Sequence, residues 1–147
     1  MEKNNKAVEF IITTYETHNL VHFKMVRDDI KRQDIIDFLN EFLEMITTFK
    51  ETNVRYYGIW EMNFINILPP TYIKIITDFM PKIRDIGAEV NLGSAIIFKS
   101  GTARKLLNGY VNRYKIDTTW LRFIKTYDLG IEFLTEIGMK PNTIITN

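Results

Sequence analysis

Near its start the chain alternates apolar and polar residues in two short stretches, and further on it shows longer apolar stripes at helical spacing. Val8 to Tyr15 is rich in β-branched and aromatic residues and predicts a strand. Leu20 to Val26 predicts a second, with Val21, Phe23 and Met25 on one face and His22 and Lys24 on the other. The polar Glu16-Thr17-His18-Asn19 between them is expected to form a hairpin turn. Asp28 and Asp29 can accept the orphan N–H groups of a first helical turn, so a helix is predicted from there to about Lys50. Its Ile35, Leu39, Phe42, Leu43, Ile46 and Phe49 make one apolar stripe. Arg55 to Glu61 predicts a third strand.

Pro69 and Pro70 suit the first turn of a second helix, where a missing N–H costs nothing. Ile73, Ile76, Met80 and Ile83 would line its inner side, Gly87 would close it, and Pro81 predicts a kink or restart. Ser94 to Lys99 holds the continuous apolar run Ala-Ile-Ile-Phe, which predicts a strand buried on both faces. Ser100 or Thr102 would cap a third helix through Ala103, Leu106, Leu107, Tyr110 and Tyr114. Thr119 to Ile124 predicts a fifth strand. Asp128 would open a last helix, with Leu129, Phe133 and Leu134 inward and Gly138 at its end. The tail Met139 to Asn147 has no pattern. The expected fold is α/β, one domain over 1–147 with a core of about 8–136. It has a five-stranded mixed sheet and about four helices in the order β-β-α-β-α-β-α-β-α.

Composition narrows the functional classes. Hydrophobic residues make up 46% of the 147 and charged residues 25%, which is enough apolar material for a sizeable core. Nineteen basic residues against 18 acidic ones leave a net charge of +1, which argues against nucleic acid and anionic membranes as partners. Without cysteine, the chain has no disulfide, thiolate metal site or cysteine nucleophile. The polar start, Met1 to Lys6, is not a signal peptide, and no apolar run approaches the roughly 20 residues of a membrane span. A cytoplasmic location is expected. The abundance of Ile, Asn, Lys and Tyr suits an AT-rich bacterial genome.

Several constellations have a plain structural reading. His18 and His22 would want a third ligand such as Glu16 to hold a metal, and both are expected to be solvated surface residues. Asp28, Asp29, Asp34 and Asp37 cluster where a helix start attracts Asp for capping and dipole reasons. Lys99, Arg104, Lys105, Arg113, Lys115, Arg122 and Lys125 lie at mixed helical phases and form no stripe. Ser100-Gly101-Thr102 could aim N–H groups at an anion, but it lacks the longer loop of a P-loop. The loop Asn63 to Leu68 is unusually apolar for a connector. Either it tucks into the core or it presents an apolar surface.

The segment Ser94-Ala-Ile-Ile-Phe-Lys-Ser-Gly-Thr-Ala-Arg-Lys-Leu-Leu107, followed by Thr118 to Leu134, resembles the strand, polar turn and helix of STAS domains, the anti-sigma-factor antagonists. The closest likeness is to their SpoIIAA-like branch, over roughly Val8 to Glu136. In phospho-switched members a Ser or Thr in an Asp-Ser-(Ser/Gly)-Gly-like turn follows the third strand. Here Glu61 to Thr71 has no Ser and no Gly, and Thr71 is its only hydroxyl, so the switch is not carried over. The resemblance implies a non-catalytic regulatory module that binds another protein, with no cofactor. Its binding surface would comprise Trp60, Asn63, Phe64, Asn66, Thr71, Ser100, Thr102 and Arg104 at the exits of the third and fourth strands, where α/β sheets meet their ligands. The alternative is a carrier of a small apolar ligand or lipid, with a cavity behind Trp60 and the Phe64–Leu68 loop. An enzyme is the remaining class. Against it, the chain has no cysteine, no Gly-x-Ser-x-Gly elbow and no His beside a nucleophile. Self-association as a homodimer through a strand edge or the Phe64 loop stays open.

Overall fold

The computed structural model describes residues 6–27, 29–61, 70–98, 101–113, 115 and 119–141, without the side chains at 70, 73, 76, 77, 80, 103, 106, 107 and 110. In chain order its elements are β1 (Val8–Thr14), β2 (Asn19–Met25), α1 (Arg32–Glu51), β3 (Tyr56–Glu61), α2 (Pro70–Val90), β4 (Asn91–Ile97), α3 (Gly101–Arg113), β5 (Leu121–Ile124) and α4 (Tyr127–Glu136). They form one five-stranded sheet in the spatial order β1-β2-β3-β4-β5. β1 is antiparallel to β2, and the pairs from β2 to β5 are parallel. The mixed α/β sheet and its element order are as expected from the residue pattern.

Because β2 to β5 run parallel, their carboxyl ends share one edge, and the four helices start from it. Strand alternation divides the core between the two faces. On one face Val21, Phe23 and Met25 of β2 and Tyr56 of β3 pack with Phe42, Ile46 and Phe49 of α1 and Val90 of α2. On the other, Leu20, Tyr57, Ile59, Ala95, Ile97 and Ile124 pack with Phe133 and Leu134 of α4. The first face is an aromatic stack. Phe23 lies 4.1 Å from Trp60, ring centre to ring centre, and Phe10, Phe38 and Phe42 surround the pair. Gly58 makes room for it, since a Cβ there would stand 3.0 Å from Trp60 Nε1 and 3.4 Å from Phe23 Cε2.

Helix ends differ from expectation in instructive ways. The residue before α1 is Lys31, not Asp28 or Asp29. Its N–H donates to the Asp34 carboxylate at 2.9 Å, and Asp34 also pairs with Arg27 at the end of β2. Thr126, not Asp128, caps α4, its hydroxyl accepting from the Leu129 N–H at 3.2 Å. Leu129 faces out, 46% exposed, and Phe133 and Leu134 face in. α2 runs through Pro81 without a restart and past Gly87 to Val90, because Ile83, Ile86 and Val90 keep an apolar side against the core. α1 closes on Asn53 at φ 56°, with Val54 N–H reaching the Phe49 carbonyl. α4 closes in the same way on Gly138 at φ 126°, with Met139 N–H on Leu134 O. Met139, which carries no sequence signal, is a core residue at 2% exposure. β4 begins earlier than expected, at Asn91, and Ser94, Ala95 and Ile97 in it are buried.

Candidate functional site

Among the described residues, the sheet's second face is only partly covered. α4 packs over β3, β4 and β5. Gly130 lets its first turn sit close to the strands, for a Cβ there would meet Ile124 Cδ1 at 2.8 Å and Ala95 Cβ at 3.4 Å. Beside α4, on β1 and β2, Ile11 stands 44% exposed next to its cross-strand partner His22. Tyr127, the first residue of α4, leans over β2 with its ring 5.1 Å from that of His22 and is 38% exposed. His22 Nε2 lies 3.4 Å from Glu61 Oε1, long for a hydrogen bond, and both side chains are half-buried. Ile11, His22, Glu61 and Tyr127 therefore make a mixed apolar and polar patch, with Lys24 exposed at its margin.

The electrostatics of this patch follow from partial burial. Desolvation lowers the His22 pKa, an effect that Glu61 opposes and Lys24 reinforces, so the imidazole is neutral at neutral pH. The Tyr127 phenol is raised, first by burial and then by Tyr15, Glu61 and Asp128. Burial likewise raises Tyr15.

The residues singled out from sequence separate on inspection. Asn63, Phe64, Asn66 and Ser100 lie outside the described residues. Trp60 is half-buried in the aromatic stack, its inner side filled by Phe23, Phe38 and Phe42, and its Nε1 has no hydrogen-bond partner among the described residues. Thr71 and Thr102 are exposed as the second residues of α2 and α3. Arg104 donates from Nη1 to the Phe98 carbonyl at 2.5 Å, tying α3 to the end of β4. Glu61 is the last residue of β3, and residues 62–69 after it lie outside the described residues. No sequence signal marks Tyr127 or Glu61 as neighbours of His22, since the three come from β2, β3 and α4.

The two histidines do not share surroundings, and neither is a solvated surface residue. His18 is 5% exposed, with its ring 5.0 Å from both Tyr15 and Tyr57. Its Nδ1 faces the Thr17 hydroxyl at 3.1 Å. Burial, and then Lys140, lower its pKa. A histidine depressed in the fold binds its proton more weakly there than in the unfolded chain. Stability is therefore complete above about pH 6.5 and falls as pH drops from there toward the folded-state value. We expect Tm to hold between about pH 8 and pH 7 and to decline between about pH 6.5 and pH 5, before most carboxylates titrate. His18→Phe, which fits between two tyrosines, should lessen that decline, the part that remains coming from His22, whose pKa burial also lowers. An unchanged slope in the variant would assign it elsewhere.

A cleft of about 370 Å³ opens at the opposite, amino edge of the parallel strands, between Asn53–Arg55 and Glu89–Leu92, where Lys50 pairs with Glu89 at 3.6 Å. None of the described helices is long and apolar enough to cross a membrane.

No family model and no curated protein matches the chain. Among solved structures it is similar to an anti-sigma-factor antagonist (STAS) domain protein from Planctomyces limnophilus, with 11% identity, 85% of this chain and 97% of that chain covered, and a TM-score of 0.46. The element order established above, β-β-α-β-α-β-α-β-α on one mixed sheet, is the one that the STAS and SpoIIAA-like resemblance of the sequence implies.

Proposed function

We propose that this chain is a non-catalytic regulatory module that binds another protein beside α4 and along the carboxyl edge of the parallel strands. The observation that carries this reading is the patch of Ile11, His22, Glu61 and Tyr127, where two exposed apolar side chains flank a half-buried polar pair. Two exposed apolar groups beside a partly desolvated polar pair offer both area and specificity to a partner. Thr71 and Thr102, exposed at the starts of α2 and α3, would extend this surface along the carboxyl edge, while Asn63, Phe64, Asn66 and Ser100 lie outside the described residues. Trp60 and Arg104 support it from behind, one within the aromatic stack and the other on the Phe98 carbonyl. Glu9, Glu61 and Asp128 outnumber Lys24 around the patch, which favours a partner segment bearing an apolar anchor next to Lys or Arg.

A carrier of a small apolar ligand has less support, because aromatic rings fill the space behind Trp60. Native mass spectrometry before and after denaturation tests it directly, and mass lost on denaturation would favour the carrier. For the interaction reading, the immobilised chain is used to capture a partner from a bacterial lysate. The captured protein is then purified and titrated by calorimetry. Tyr127→Ala and Glu61→Gln should each weaken binding about tenfold or more, the scale of an interface anchor. Glu44→Gln, on the exposed side of α1, should not. Equal affinities across the three variants would remove the patch from consideration.

A further inference from the structure

The two ends of the sheet are protected very differently. β5 is a four-residue edge carrying Arg122, which is the usual defence against unwanted pairing. β1 is seven residues long, Val-Glu-Phe-Ile-Ile-Thr-Thr, with no proline, no lysine and the single charge Glu9. Glu9 stands opposite Lys24 of β2, so even that charge has a counterpart within the sheet. Ile11 and Ile12 point to opposite faces and are 44% and 47% exposed. One exposed isoleucine is ordinary. Two adjacent ones at the middle of an edge strand, one on each face, mark the edge itself.

The hydrogen-bond phase of β1 is fixed by its partner. Val26 N–H reaches the Ala7 carbonyl and Tyr15 N–H reaches the His18 carbonyl, so the odd-numbered residues turn their N–H and C=O toward β2. Val8, Phe10, Ile12 and Thr14 consequently turn theirs outward, and no described strand lies on that side.

We propose that a second copy of this chain occupies this edge, β1 pairing antiparallel with its own twin about a two-fold axis. One register uses the whole strand: Val8 opposite the partner's Thr14 and Phe10 opposite the partner's Ile12. It bonds only the outward-facing residues to one another. Ile11 then falls on the axis, opposite the partner's Ile11 in a narrow pair with Cα atoms about 4.5 Å apart. Ile12 lies against the partner's Phe10 on the other face, extending the ring cluster of Phe10, Phe23 and Phe38. Glu9 meets the partner's Thr13, so no like charges oppose each other. Directly opposite residues point to the same face. The two copies of α4 therefore stand on one side of a ten-stranded sheet, and the two patches beside them join across β1. The interface shares Ile11 with the proposed protein-binding patch and would leave Tyr127, His22 and Glu61 of that patch beside it, whereas Ile12 lies on the other face and tests the dimer without touching the patch.

The absence of native cysteine makes the register directly readable. With oxidised glutathione as oxidant, Ile11→Cys should give a covalent dimer, because a narrow antiparallel pair meets disulfide geometry. Glu9→Cys and Thr13→Cys should each stay uncrosslinked alone and crosslink when mixed. Light scattering on the full-length chain should show a concentration-dependent dimer. Ile12→Lys, exposed in the single chain, should weaken it roughly 100-fold, each of two symmetry-related apolar contacts being worth about tenfold. A monomer in every arm, whether the edge stays open or another segment takes it, overturns the proposal. So does a dimer indifferent to Ile12→Lys, or crosslinking of Glu9→Cys as readily as of Ile11→Cys.

Discussion

Phe23→Ala is expected to cost about 4 kcal/mol of unfolding free energy, within the usual range for removing a buried aromatic ring. Phe23 is fully buried, on the second strand of the sheet. It stacks on Trp60 at 4.1 Å and meets Phe10 and Phe42 edge-on at 5.0 and 5.5 Å. The neighbours cannot close the resulting gap, because Trp60 and Phe10 are anchored to adjacent strands and Phe38 and Phe42 to one turn of α1. In a chain of this length, a change of 1 kcal/mol moves Tm by about 2–4 °C, so a fall of roughly 10 °C is predicted. Urea titration should show a lower midpoint with an unchanged slope. Trp60 reports the change independently, since its emission should shift to the red once water reaches the indole. A loss below about 1 kcal/mol would mean that the stack is not the centre of this face.

Gly130→Val is the second large effect, expected at about 3 kcal/mol, at the upper end of what overpacking costs. A β-carbon at this position would lie 2.8 Å from Ile124 Cδ1, and the branches of valine would press on Ala95 and Ile59, both fully buried. Helix propensity alone would favour alanine over glycine by up to about 1 kcal/mol. Gly130→Ala should thus sit near zero, its gain offset by the displacement of Ile124. Ile124→Val removes the Cδ1 atom concerned. The double variant Gly130→Ala, Ile124→Val should therefore be more stable than the sum of the two single changes. Simple additivity in that cycle would show that α4 is not set at its distance by this contact. Because α4 also carries Tyr127, lifting the helix with valine should weaken partner binding even where the protein remains folded.

Legibility of the candidate site was uneven for a physical reason. Trp60 stood out by type and position, yet it faces α1 because strand alternation places it beside Gly58 and Tyr56. Its neighbour Glu61 turns to the other face and meets His22. His18 reads as a turn residue, and only the approach of Tyr57, nearly forty positions along the chain, buries it. Polar residues carry no local signal of burial when the covering group is distant in sequence.

Local pattern was sufficient for the elements and their order. The alternation in Asn19–Met25 and the twenty-residue apolar stripe of α1 each specify one kind of backbone by their period, while β1 and the Ala-Ile-Ile core of β4 read as strands by their β-branched residues and short length. Helix ends were less decided. Several aspartates stand near the start of α1, and the one that meets its free N–H groups is Asp34, inside the first turn, which also pairs with Arg27 just beyond β2. Gly87 did not end α2, because Ile86 and Val90 still had core to cover. What tertiary structure alone decided was adjacency: which face each strand turns to which helix, the patch of Ile11, His22, Glu61 and Tyr127, and the outward phase of β1. Each depends on contacts between residues far apart in the chain, and no local window of sequence contains both partners.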